Sequence, residues 1–157
     1  MPLGRLGTLT AAAALATATL IGTSAPASAS NYIPVELPLT TTGADGLGCS
    51  GDVWAIGNVY PDGDVAGTVD LNVRGWLKVF GVPAPWCSVT ATVNWHNLDT
   101  GASGWGSVFL GSGNGTPFFW LAPQAGNVRL VTGAGRVAFS LNTNFPHSPS
   151  ETTFTVY

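Results

Sequence analysis

The sequence predicts an all-β protein: one antiparallel β-sandwich, Ig-like in architecture, with a single disulfide. Three observations carry that expectation. Apolar and polar residues alternate with a period of two along most of residues 30–157, and no stretch there shows a helical repeat. Short turn strings rich in Gly, Pro, Asn and Asp separate the alternating runs. The chain also carries two cysteines behind a leader that directs it to an oxidising compartment.

In chain order, weak strands are expected at Val35–Thr41 and Val53–Tyr60, ending at the turn Pro61-Asp62-Gly63. Next, Val65, Gly67, Val69, Leu71 and Val73 alternate with Ala66, Thr68, Asp70, Asn72 and Arg74, a half-buried strand. A weaker one follows at Trp76–Val82. Cys87, Val89, Ala91, Val93 and Trp95 alternate with Ser88, Thr90, Thr92, Asn94 and His96, and Asp99-Thr100-Gly101 turns the chain. Trp105–Leu110 leads to the glycine-rich Gly111–Gly115. Val128–Thr132 leads to Thr132-Gly133-Ala134-Gly135, after which Val137, Phe139 and Leu141 alternate with polar residues. Phe154 and Val156 mark the last strand. Trp54 and Trp95 are expected in the core, while Trp76 and Trp86 fit either side.

The first 29 residues read as a secretory signal peptide. Arg5 precedes an apolar run from Leu9 to Ile21, and Ala27-Ser28-Ala29 is a small-x-small cleavage site. Cleavage would leave one domain, residues 30–157, secreted or held in the cell envelope, with no transmembrane segment in the mature chain. No Cys follows the cleavage site to take a lipid anchor. Beyond the leader stand four basic residues (Arg74, Lys78, Arg129, Arg136) against eight acids, a net charge of −4. Scattered cations of that kind exclude nucleic acid and anionic headgroups as partners, because such binding needs many phosphates neutralised together.

Cys49 and Cys87 are expected to pair, closing a loop that chain entropy values at about 4 kcal/mol. Their separation looks short for the usual bridge between two sheets. No metal site or cofactor is indicated, since neither Cys belongs to a C-x-x-C pair and the only histidines are His96 and His147. His96 is in phase with outward residues, and His147 lies in a proline-bounded loop. Asp62, Asp64 and Asp70 are too few oxygens for calcium. No nucleophile elbow exists, because Gly101-Ala102-Ser103-Gly104-Trp105 lacks the final Gly.

The one motif with catalytic overtones is Asp99-Thr100-Gly101-Ala102, which is similar to the active-site string of aspartic proteases, where two carboxylates share a proton. Asn97 replaces an apolar residue that the family wants before the Asp. Gly135-Arg136 follows too closely to leave room for a flap. The expectation is a hairpin turn and no catalytic residue, with a hydrolase as the remote alternative. An outer-membrane barrel is disfavoured, because Thr155 and Thr153 stand where the last strand of such a barrel carries apolar residues.

Aromatic residues supply the candidate site. Trp105 lies between two glycines, and Phe118, Phe119 and Trp120 form an uninterrupted apolar run between Pro117 and Pro123. Rings left in solvent generally serve recognition. Taken whole, the chain resembles small exported β-sandwich proteins of actinobacteria with no assigned function. The resemblance rests on Asn97 with Thr100-Gly101-Ala102-Ser103-Gly104, on Gly133-Ala134-Gly135-Arg136-Val137, and on Pro146-His147 before a short final strand. It implies an architecture and no catalytic residue. The expected function is non-enzymatic: a binding or structural component of the cell surface with a neutral partner, whether glycan, lipid-like molecule or protein. The alternative is a carbohydrate-binding module stacking sugars on Trp105 and Trp120.

Overall fold

Alternation of period two puts one face of each strand in water and the other against a second sheet, and this arrangement is observed. A computed structural model describes residues 31–62, 64–111 and 123–157. These form β1 (Ile33–Gly43), β2 (Cys49–Val59), β3 (Thr68–Val79), β4 (Val82–Pro83), β5 (Ser88–Asn97), β6 (Ser103–Gly111), β7 (Gln124–Val131), β8 (Gly135–Thr143) and β9 (Glu151–Val156). Sheet A runs β1-β2-β3, and the free side of β3 pairs with β7 along Thr68–Gly75 and with β4 at Lys78 and Val79. Sheet B runs β6-β5-β8-β9, and every pairing in both sheets is antiparallel. The expected leader and the Phe118-Phe119-Trp120 run lie outside the described residues. Among the described residues no helix is long and apolar enough to cross a membrane.

The core is the set of inward residues the alternation marks. Val53, Ala55 and Val59 of β2 and Val69, Leu71, Val73 and Leu77 of β3 face Val89, Ala91 and Val93 of β5 and Val137, Phe139 and Leu141 of β8. Phe139 stacks on Phe154 with ring centroids 4.4 Å apart. At one side the edge strands β6 and β7 meet without a common ladder. A Cβ placed on Gly126 would lie 2.1 Å from Cγ2 of Val108, and one on Gly106 would lie 2.5 Å from Cγ1 of Val128. Each glycine is the hole for the other strand's valine.

Four expectations are corrected. The two strands expected at 65–74 and 76–82 merge into one strand, β3 (Thr68–Val79), preceded by a turn over residues 64–67 and followed by a turn at 80–81 into β4. Gly75 does not break it: a Cβ there would sit 3.0 Å from Leu110 of sheet B, so the glycine is a packing concession. Second, the disulfide Cys49–Cys87 does tie the two sheets, joining the start of β2 to the residue before β5. Thirty-eight residues suffice because β2 and β3 run out and back. Cys49 therefore faces Val79, and only eight further residues are needed to reach sheet B.

Third, Trp54 is half-buried on the outer face of sheet A, opposite Arg74. Val53 and Ala55 hold the inner positions, and period two leaves Trp54 no other side. Fourth, β1 is longer than expected and carries a bulge between Leu37 and Thr40. Pro38 sits within it, where a missing N–H costs nothing. Beyond the bulge β1 also bonds to the β8–β9 connection. Gly43 N–H donates to Pro146 O (3.0 Å), and Ser148 N–H donates to Thr41 O (2.9 Å).

Candidate functional site

The outward positions of sheet B make an uncharged field. In register across β6, β5 and β8, Trp105 lies beside Asn94 and Ser140, Ser107 beside Thr92 and Asn142, and Phe109 beside Thr90. Hydroxyls and amides therefore fill the middle, and the charged Arg136 and Glu151 stand only at the margins. Trp105 is 69% exposed and Phe109 64%, both on the edge strand β6. Four residues apart on one face, they are separated by about 13 Å along the strand. One small molecule cannot touch both rings, whereas an extended polymer can.

The glycines beside Trp105 do not explain its exposure. They face inward: a Cβ on Gly104 would lie 2.8 Å from Cζ2 of Trp95, and Gly106 makes way for Val128 and Leu130. Trp105 is exposed because strand phase turns it outward and none of the described residues covers it. Phe109, in the same phase, was not singled out from the sequence. The signal was present, since Trp105, Ser107 and Phe109 alternate with Gly106, Val108 and the buried Leu110.

The outer face of sheet A is different. It forms a shallow trough of about 1060 Å³ lined by Glu36, Asn58, Asp70, Asn72, Asn127 and Arg129, with Ile56 among them. Sequence reasoning missed it, because a trough depends on which strands lie side by side. Its polar groups largely satisfy one another. Arg129 forks onto Asp70 through Nε–Oδ1 (2.6 Å) and Nη2–Oδ2 (2.8 Å). That hydrogen-bonded guanidinium holds the Asp70 carboxyl below its ordinary pKa. Asn72 donates to Asn127 (2.9 Å) and accepts from Arg74 Nε (2.7 Å). The backbones of Glu36 and Asp70 stand two strands and two residues apart, about 12 Å on sheet spacings.

Asp99 is a turn residue. Asn97 O accepts from Gly101 N–H (2.8 Å), and Gly101 supplies the left-handed conformation with φ +76°. The Asp99 carboxylate accepts from the Arg136 backbone N–H (2.8 Å) and from its Nε (3.3 Å). The backbone bond is the main reason its pKa is lowered, the opposite of what a proton-sharing pair needs. Two of the three segments behind the family resemblance thus meet in one knot. His96 is exposed on β5, and His147 is a half-buried latch between Phe145 O (2.8 Å) and Asn142 Oδ1 (3.1 Å). Among the described residues no three of His, Cys, Asp and Glu are grouped to hold a metal ion. No family model matches the chain, and no curated protein or solved structure matches it either.

Proposed function

We propose that the chain is a non-enzymatic binding protein of the extracytoplasmic space, and that its partner is a neutral glycan lying along the outer face of β5 and β6. The observation that carries this reading is the pair of solvent-facing rings, Trp105 and Phe109, beside a field of uncharged hydroxyls and amides. Sugar faces are apolar and stack on aromatic rings, while their hydroxyls need donors and acceptors of the kind Thr90, Thr92, Asn94 and Ser107 supply. The signal-like leader and the disulfide support the location.

The test is binding of the folded protein to insoluble cell-wall glycans, compared with Trp105→Ala, Phe109→Ala and the double variant. Both side chains point into solvent, so circular dichroism and melting should be unchanged. Each single variant should weaken binding by about tenfold, the scale of one aromatic contact. Undiminished binding by the double variant, or no glycan bound by the natural chain, overturns the reading.

A further inference from the structure

We infer that the end of the sandwich carrying the disulfide docks on a lipid bilayer, its loop tips entering the headgroup–acyl boundary. Among the described residues, three chain segments meet at this end. The β1–β2 loop presents Leu47, the β3–β4 turn presents Phe80, and the segment leading into β5 presents Trp86. Leu47 is 95% exposed, Phe80 93% and Trp86 58%, with Val82 beside them at 67%. They are neighbours in space. A Cβ on Gly46 would lie 3.6 Å from Cδ1 of Trp86, and one on Gly48 would lie 3.7 Å from Cζ of Phe80. Loops holding Phe80 and Trp86 thus flank the loop that carries Leu47.

Nothing in the fold asks for these residues. Phe80 adopts φ +48° ahead of Gly81 at +84°, the left-handed pair of a tight hairpin. Asn is the preferred residue at that first position, and a bulky ring is an outlier there. The ring is nearly all in water, so packing does not compensate the strain. Behind the tips the base is fixed. Cys49–Cys87 bonds two of the segments, and Asp45 and Ser88 exchange backbone hydrogen bonds of 2.7 and 3.3 Å. Apolar tips on a rigid base keep their exposure instead of folding back.

Charge and shape choose the occupant. From Val79 to Ser88 there is no charged residue. The nearest cation, Lys78, is 2.9 Å from the Asp52 carboxylate, and Asp45 adds a negative charge at the rim. The end therefore has nothing to draw phosphate-rich or anionic surfaces, and suits a zwitterionic bilayer entered by apolar burial. A second copy of the chain fits less well. Among the described residues, the four side chains offer on the order of 600 Å², against about 800 Å² per partner in a stable dimer. They also stand on separate convex tips, which a deformable medium accommodates and a rigid surface does not.

The experiment uses the disulfide-bonded protein and large vesicles of phosphatidylcholine, alone or mixed with phosphatidylglycerol, at low and high salt. The natural chain should sediment with phosphatidylcholine vesicles independently of salt, with a blue shift in tryptophan emission. Phe80→Asn suits the turn and should leave melting unchanged or raise it, yet reduce partitioning tenfold or more. Adding Leu47→Ser should abolish vesicle binding. Both variants should keep glycan binding at Trp105 and Phe109, which separates this inference from the glycan reading. The proposal is overturned if the natural chain stays in the supernatant, or if it needs the anionic lipid and dissociates in salt. It is equally overturned if the double variant binds as well as the natural chain, or if these substitutions abolish a dimer seen by sedimentation.

Discussion

Asn97 is fully buried, and every polar valence of its amide is used. Nδ2 donates to Thr132 O and Ala134 O, each at 3.0 Å, and Oδ1 accepts from the N–H groups of Asp99 (3.0 Å) and Thr100 (3.1 Å). One side chain thereby joins the β5–β6 turn to the β7–β8 turn. Replacing it by Asp would turn an acceptor toward two carbonyls. Asn97→Asp should therefore destabilise the fold by about 3 kcal/mol or more, read from denaturant midpoints. The sequence marks Asn97 only as an unexpected polar residue at a strand end, because the carbonyls its amide nitrogen reaches lie 35 to 37 residues away. Asp70 has an effect of a different kind. Arg129 lowers its folded pKa, so its contribution is present above the ordinary carboxylate range and drains as pH falls through the folded value. Acid titration of stability should show this loss at the acidic end, and Asp70→Asn should flatten it.

Whole elements were legible wherever strand phase alone decides. The core strands β5 and β8 follow from alternation, and the turn at Asp99-Thr100-Gly101 follows from its residues. The weakly patterned β7 was also found, but its pairing with β3 was not. That contact joins residues 49 to 63 apart in the chain, and no local pattern records it. The disulfide shows the same division. Pairing of Cys49 with Cys87 follows from two cysteines behind a signal-like leader, whereas the joining of two sheets required knowing that β2 and β3 return the chain to its starting level. Replacing both cysteines by alanine should cost about 4 kcal/mol if chain entropy dominates. Alkylation of the native protein should label neither sulfur until denaturant is added, since Cys87 is wholly buried and Cys49 nearly so.

Across the whole molecule the two outer surfaces divide their chemistry. Sheet B presents Trp105, Phe109 and neutral hydrogen-bonding groups, while sheet A presents ion pairs and amides already bonded to one another, with Trp54 and Trp76 among them. Trp105 as a candidate came from the sequence. The phase of its partner ring Phe109 was equally legible, but the trough and the apolar end were not, because each depends on neighbours supplied by other strands. Leu47, Phe80 and Trp86 span 40 residues of chain and become one feature only when three loops converge. Trp105 and Phe109 lie on the side of the sandwich and the apolar tips at its end, so the glycan and the bilayer we propose do not compete for one surface. The doubled bonding of β1 bears on a separate hazard. Edge strands are templates on which further copies of a chain can add. Here the longest edge breaks its own ladder at Pro38, then spends its remaining donors and acceptors on Pro146 and Ser148. Beyond Leu37 this edge therefore offers a neighbouring copy no continuous strand to extend, and what remains open on β1 is the short run Ile33–Leu37.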